Sequence, residues 1–120
     1  MRLIATIVLV ALGTTRATAQ ESRAALMGVG ATPCAEFTQE YRRNPSGADA
    51  VFFSWAQGFM SGLNMTRIAL KRPLSDLSAW SVPEQQARLR QLCDKSPLLP
   101  YAYAVEDLMK DFPELPPPAK

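Results

Sequence analysis

The sequence offers few side chains that could carry out catalysis. It contains no histidine, the commonest general base and the commonest protein metal ligand. Gly58, Ser61 and Gly62 superficially resemble a nucleophile elbow. Their order is Gly-x-x-Ser-Gly rather than Gly-x-Ser-x-Gly, however, and they lie inside a predicted helix rather than at a strand-to-helix turn. We therefore do not assign a serine nucleophile.

The acidic residues do not form a recognisable catalytic or metal-binding motif. Glu36 and Glu40 are four residues apart on one predicted helix, and Glu106 and Asp107 are adjacent. This spacing is typical of a solvated helix face and matches neither a calcium loop nor a carboxylate pair with a raised pKa. The sequence thus predicts a protein that is not an enzyme, with no catalytic residue, no cofactor and no metal.

The two cysteines, Cys34 and Cys93, are expected to form a structural disulfide. In an oxidising compartment, an even number of cysteines indicates pairing. Closing a loop of this size stabilises a small domain by about 4 kcal/mol in the chain-entropy model. A redox role is the alternative interpretation, but the sequence has no C-x-x-C motif to favour it.

The first 19 residues have the three regions of a signal peptide. Arg2 supplies a positive charge, residues 3–12 are an uncharged apolar run, and Ala17-Thr18-Ala19 has the small-x-small pattern of a cleavage site. The apolar run is shorter than the roughly 20 residues that a membrane span needs, so no stable membrane anchor is expected. We predict cleavage after Ala19 and a periplasmic or secreted protein. A buried N-terminal helix is the alternative.

The charge balance argues against nucleic acid as a partner. The chain has 13 basic and 11 acidic residues, and removal of residues 1–19 takes away Arg2 and Arg16, leaving 11 of each. A mature chain without net charge lacks the electrostatic footprint that nucleic-acid binding requires.

Proline, glycine and capping signals divide the remainder into four predicted helices. The first begins at Thr32, a hydroxyl N-cap followed by Pro33, and ends before residues 44–47. The second is a long helix over residues 48–72, stopped by a proline. The fold class is therefore all-α: a small four-helix domain, stapled by a disulfide, after a cleaved signal peptide.

The third and fourth helices follow an unassigned connector, residues 73–80. Ser81 and Glu84 form a capping box ahead of the third helix, which runs to about residue 95. The fourth helix covers residues 101–112. The helical domain thus spans residues 32–112, with a mobile leader at residues 20–31 before it and a disordered, proline-rich tail at residues 113–120 after it.

The long helix is apolar on more than one side. A helical projection places eight residues on one wide stripe: Val51, Phe52, Trp55, Phe59, Gly62, Leu63, Ala69 and Leu70. Phe53 and Met60 lie nearly opposite, beside Gln57 and Asn64. Either this helix is central and covered by neighbours on both sides, or these four residues form an exposed patch for a partner.

Two glycines interrupt the same helix. Gly58 and Gly62 are four residues apart and accompany Trp55 and Phe59. Each glycine inside a helix costs about 1 kcal/mol relative to alanine, so the pair predicts a second backbone packed closely against this face. That backbone would be the domain's own fourth helix or, alternatively, a bound partner.

The order of these residues resembles a known family. Its elements are Cys34 and Phe37 in the first helix, Trp55, Gly58, Phe59, Gly62 and Asn64 in the long helix, Leu92, Cys93 and Pro97 around the end of the third, and Ala104, Val105 and Leu108 in the fourth. This pattern resembles the small periplasmic helical proteins grouped as Rap/Tai-type immunity proteins of type VI secretion, and more distantly the acid-stress chaperones HdeA and HdeB. The resemblance covers roughly residues 32–112.

The resemblance implies a disulfide between the first and third helices, a tendency to form a homodimer, and inhibition of a cell-wall amidase effector by a loop that blocks its active site. The connector, with Ser75, Asp76 and Ser78, is the candidate loop. An acid-stress chaperone that binds client proteins, or an envelope accessory protein, is the alternative function.

Overall fold

The structure is a computed structural model that describes residues 25–119. The helices are α1 (Cys34–Arg43), α2 (Pro45–Ala48), α3 (Ser54–Ala69), α4 (Val82–Lys95) and α5 (Tyr101–Asp111). A 3₁₀ turn at Gly28–Ala31 precedes α1, and a π-helical turn at Asp49–Phe53 joins α2 to α3. The mostly helical class is confirmed. The predicted signal peptide and cleavage site lie outside the described residues.

Helix α1 begins one residue later than predicted, and its first N–H groups are satisfied by a distant loop. Thr32 makes no capping hydrogen bond, and Pro33 is the N-cap residue. Instead, the N–H of Cys34 donates to the carbonyl of Leu99 at 2.8 Å, and the N–H of Ala35 donates to the carbonyl of Pro97 at 2.9 Å. Tertiary contacts thus replace the side-chain cap that the sequence suggested.

The long helix starts within the segment that was predicted to be a break. The Asn44 side chain accepts a hydrogen bond from the N–H of Gly47 at 3.1 Å, and Pro45 occupies the first turn, where a missing N–H is harmless. At the other end, α3 stops at Ala69 rather than residue 72. Lys71 there takes a left-handed conformation with φ of 53°.

The predicted stripe of the long helix is wrong in part. Phe52 and Phe53 are both buried, and beyond them Ala56 and Met60 face the core. Val51, by contrast, is 57% exposed. Phe53, Ala56 and Met60 follow the α-helical spacing i, i+3 and i+7, so the most deeply buried side of this helix is the one that the projection placed opposite the stripe. Three more stripe residues are exposed: Gly62, Ala69 and Leu70.

The core centres on packed aromatic rings beside the disulfide. The ring of Phe37 lies 4.9 Å from that of Phe52 and 5.0 Å from that of Tyr101. The disulfide between Cys34 and Cys93 is buried and joins α1 to α4, as predicted. Fifteen buried residues form one core: Cys34, Phe37, Ala48, Phe52, Phe53, Ala56, Met60, Leu89, Cys93, Tyr101, Ala104, Val105, Leu108, Met109 and Phe112.

The connector and the tail form a small antiparallel sheet that the sequence did not predict. Strand β1 (Leu74–Ser75) pairs with β2 (Glu114–Leu115), so the tail is not disordered at this point. The predicted mobile leader is also wrong for the 3₁₀ turn Gly28–Ala31, where Gly30 is buried against the ring of Trp55. Within residues 25–119, no helix has the length and apolar character to cross a membrane.

Candidate functional site

Two of the predicted partner-binding residues are part of the core. Phe53 is 5% exposed and Met60 is 1% exposed. Because a partner cannot reach side chains that are already covered, their assignment to an exposed patch is wrong, and the alternative of a central helix is correct. Gln57 remains exposed on the outer face of α3.

Asn64 and Ser75 face each other inside the fold. The Asn64 amide donates to the carbonyl of Ser75 at 2.8 Å and accepts from its N–H at 3.0 Å, which holds β1 on α3. The hydroxyl of Ser75 donates to the carbonyl of Met109 at 3.1 Å and accepts from Arg67 at 2.7 Å. Since Ser75 is only 4% exposed, its role is to join α3, the connector and α5 rather than to contact a partner.

The remaining polar residues of the connector also stabilise the loop itself. The carboxylate of Asp76 accepts hydrogen bonds from the N–H of Ser78 at 3.0 Å and from its hydroxyl at 2.6 Å, an Asx turn. The buried amide of Gln85 donates to the carbonyls of Leu77 and Trp80. Ser75 and Asp76 thus use their polar groups within the domain, and of the three predicted contact residues of the connector only Ser78 is exposed.

The two glycines of α3 do not pack against another helix of the domain. A Cβ added at Gly58 or Gly62 would meet no atom of residues 25–119 within 4 Å, so packing of the fourth helix on this face is wrong. The alternative of a bound partner stays a prediction. Trp55 and Phe59 stack on each other with ring centroids 4.9 Å apart and are half-buried. The glycine that is in close contact with an aromatic ring is Gly30.

The most prominent apolar group that the structure exposes lies on the loop between α4 and α5. We call residues 96–100 the Leu98 loop. Leu98 is 88% exposed and Leu99 is 47% exposed. The sequence signal was present: two adjacent leucines between two prolines, in a segment that we interpreted only as a turn. Apolar residues exposed in a tight turn contribute little to folding, which makes them candidates for recognition.

Several contacts fix the conformation of the Leu98 loop. Pro97 and Pro100 restrict its backbone, and the N–H of Leu99 donates to the carbonyl of Ser96 at 3.2 Å. The carbonyls of Pro97 and Leu99 accept hydrogen bonds from the start of α1, as described above. The disulfide at Cys93 lies three residues before the loop. The loop is thus held at both ends, and Leu98 projects between them.

Further apolar surface lies close to this loop. The N–H of Tyr101, directly after the loop, donates to the carbonyl of Thr32 at 2.8 Å. Tyr103, 49% exposed, lines an open groove of about 340 Å³ together with Phe59 and Leu63. Met27 is 74% exposed. Tyr103 is attached to the loop's end, since its N–H donates to the carbonyl of Pro100 at 3.0 Å.

Tyr101, directly after the Leu98 loop, has a perturbed pKa. Burial, with a smaller contribution from the charge of Asp49, raises the pKa of Tyr101 well above its usual range, so its hydroxyl stays protonated. Among residues 25–119, no group of three or more carboxylate and cysteine side chains is arranged to hold a metal ion. The region can offer an apolar, preorganised surface for binding.

No family model, curated protein or solved structure matches this chain.

Proposed function

We propose that this chain is an exported helical protein that acts by binding a protein partner, with the Leu98 loop as its principal contact. The observation that carries the proposal is a leucine that is 88% exposed on a loop whose conformation is already fixed. The disulfide is compatible with a periplasmic or secreted location.

A fixed loop lowers the entropic cost of binding. Burial of a leucine side chain contributes about 1.5–3 kcal/mol. Part of such a gain is normally lost in ordering flexible side chains and loops at an interface. The two prolines and the hydrogen bonds to α1 order the Leu98 loop before any partner arrives, so little of the burial energy is offset.

The resemblance to Rap/Tai-type immunity proteins suggests which partner is bound. If this protein acts as they do, the partner is a cell-wall amidase effector, and the Leu98 loop covers the active-site cleft of that enzyme. An inhibitor of this kind needs a compact, stable scaffold and no catalytic group of its own. A homodimer, which the resemblance also implies, would present two such loops.

The test is inhibition by the purified protein of an amidase effector encoded beside its gene. We expect Leu98→Asp to weaken inhibition about 100-fold or more, because a carboxylate would have to be buried in an apolar cleft. The matched control is Met65→Asp, which introduces the same charge at a methionine that is 64% exposed on α3.

Circular dichroism should show that both variants fold, because both side chains are exposed. Equal inhibition by the Leu98→Asp variant and the unmodified protein would rule out the loop as the contact. Failure of the unmodified protein to relieve the amidase's toxicity on co-expression would rule out the immunity role for that pair.

The second candidate is an acid-stress chaperone, and the hydrogen bonds between Ser81 and Glu84 favour it. These bonds lower the pKa of Glu84, so the folded state favours the ionised carboxylate. This contribution to stability is lost when the carboxylate is protonated in strong acid. The test is aggregation of a client protein at about pH 2–3, where carboxylates are protonated. Undiminished aggregation at stoichiometric amounts would exclude this function.

A further inference from the structure

A polar groove of about 440 Å³ lies between α1 and α4, and none of the residues of the Leu98 loop lines it. Six of its side chains carry hydrogen-bonding or charged groups: Thr38, Tyr41, Arg42, Arg90, Gln91 and Asp94. The proposed contact through the Leu98 loop makes no use of them. The groove is large enough for a small ligand and combines both signs of charge.

The groove has two chemically different levels along its length. Helices α1 and α4 run in opposite directions, because Cys34 near the start of α1 is bonded to Cys93 near the end of α4. Close to the disulfide, the hydroxyl of Thr38 donates to the carboxylate of Asp94 at 3.4 Å. Arg42 comes one turn after Thr38, and Arg90 comes one turn before Asp94. Both arginines therefore extend from backbone positions at the next level, about 5.4 Å further along the groove.

Arg90 is held in place but is incompletely neutralised. Its guanidinium lies over the ring of Tyr41, 4.6 Å from the ring centroid. One nitrogen, Nη1, is 3.5 Å from each carboxylate oxygen of Asp49, at the outer limit of a hydrogen bond. Burial raises the pKa of Asp49 despite the opposing attraction of Arg90, which indicates a weak pair. A second carboxylate would therefore be favoured at this guanidinium.

The distribution of charge selects the class of ligand. A dianion such as phosphate would meet the two arginines but would be repelled by Asp94, whose carboxylate would be left without a cationic partner. A zwitterion suits both levels, since its carboxylate can bind the arginines while its ammonium binds the Asp94 carboxylate. In a free α-amino acid these two groups share one carbon, so partners one helical turn apart can reach both. The terminal residue of a peptide carries only one of the two charges.

We propose that the groove between α1 and α4 binds a free α-amino acid with an apolar side chain. Its carboxylate is held by Arg42 and Arg90, and its ammonium by Asp94. The side chain lies along Ala87 and the ring of Tyr41, the apolar part of the groove lining.

The test is titration of the ¹⁵N-labelled, oxidised protein with leucine, followed by amide chemical shifts. We expect saturable shifts at Thr38, Arg42 and residues 90–94, with a Kd of about 1 mM or tighter. Three ligands separate the contributions of the ammonium and the carboxylate to binding. 4-Methylpentanoate lacks the ammonium, isopentylamine lacks the carboxylate, and the ammonium of glycyl-leucine is displaced by one residue. Each should bind about tenfold more weakly than leucine, because each loses one charged hydrogen bond to the groove.

Substitutions test the named partners. Arg42 and Asp94 are both exposed, so Arg42→Gln and Asp94→Asn should fold normally, and each should weaken leucine binding about tenfold. Asp94→Asn should strengthen the weak binding of 4-methylpentanoate, because it removes a negative charge and this ligand has no ammonium. The matched control, Arg43→Gln, alters an exposed arginine of α1 that does not line this groove and should leave leucine binding unchanged.

Three results would overturn the proposal. The first is the absence of saturable shifts with leucine. The second is equal binding of leucine and glycyl-leucine, which would remove the role of Asp94. The third is binding of inorganic phosphate as tight as that of leucine, which would show a simple anion site.

Discussion

At the scale of single residues, three glycines differ in what surrounds them: an aromatic ring covers one, and the other two face open space. Gly30 lies under the ring of Trp55, so that a Cβ at this position would overlap the ring atoms. Gly58 and Gly62 face open space on α3. The conformational entropy that a glycine gives up on folding is the same at all three positions. The effect of adding a methyl group is therefore decided by what that group would touch.

We expect Gly30→Ala to lower the free energy of unfolding by about 1–3 kcal/mol, because Trp55 must leave its stack on Phe59. Gly58→Ala and Gly62→Ala should each raise it by about 0.5–1 kcal/mol, because alanine is the better helix former. Urea unfolding followed by circular dichroism measures all three. A destabilising Gly58→Ala variant would mean that this face is covered in solution.

The polar residues of the connector illustrate what a sequence cannot reveal at this scale. Asn64 and Ser75 were predicted to contact a partner, but the structure shows that they bind each other. The two residues are 11 positions apart, and their contact depends on how the chain turns after α3. A polar side chain that satisfies a buried backbone group looks the same in sequence as one that awaits a partner.

At the scale of elements, the start of α4 is the local structure that the sequence predicted most closely. The N–H of Ser81 donates to the Glu84 carboxylate at 2.7 Å, and the N–H of Glu84 donates to the Ser81 hydroxyl at 3.4 Å. A capping box uses only four consecutive residues, so its geometry is encoded locally. The caps of α1 come from the Leu98 loop instead, about 60 residues away in sequence, and could not be predicted in this way.

The capping box should also make stability depend on pH. Hydrogen bonds from the Ser81 side chain and backbone lower the pKa of Glu84. A lowered pKa means that the folded state favours the ionised carboxylate, so this contribution is present above the unfolded pKa of about 4.3 and is lost as the pH falls through the folded value. We expect Glu84→Gln to reduce the fall in Tm on the acid side. Thermal unfolding between about pH 3 and 7 measures it.

Two further variants complete this test. Ser81→Ala should lower stability by about 1 kcal/mol at neutral pH, the usual effect of losing an N-cap hydroxyl. Glu114→Gln removes an exposed carboxylate outside the helices and should leave the acid-side slope unchanged. If Glu84→Gln and Glu114→Gln gave the same pH profile as the unmodified protein, the box would not form in solution.

The π-helical turn and the β1–β2 pair are the elements that sequence patterns missed. Both depend on tertiary packing rather than on local signals: the turn allows Phe52 and Phe53 to enter the core together, and each strand is only two residues long. The existence and approximate length of the long helix were predicted. Its most deeply buried side was not, because apolar residues lie on more than one side of the helix and a projection does not show which side the core covers.

At the scale of the whole molecule, the disulfide connects the core to the proposed contact loop. Cys34 opens α1, whose first two N–H groups hold the Leu98 loop, and Cys93 lies in the last turn of α4, which leads into that loop. The sequence predicted the bond because it required only an even number of cysteines and an oxidising compartment. It could not show that Leu98 is exposed, because the exposure of a turn depends on the arrangement of all the helices.

Removal of the disulfide should therefore affect stability and the loop together. The cysteines are separated by 59 residues, and opening a loop of that size lowers the free energy of unfolding by about 4 kcal/mol in the chain-entropy model. For a domain of this size, that corresponds to a fall in Tm of roughly 15–30 °C. The double variant Cys34→Ser/Cys93→Ser, compared by calorimetry with the oxidised protein, gives the measurement.

Amide hydrogen exchange separates the two effects. If the disulfide positions the loop, the N–H groups of Cys34 and Ala35, which bond the Leu98 loop, should lose more protection than that of Leu108 in the core of α5. A matched loss at all three amides would indicate that the bond acts on the unfolded chain alone. In that case the prolines and α1 suffice to hold the loop, and inhibition of a partner would survive reduction wherever the domain remains folded.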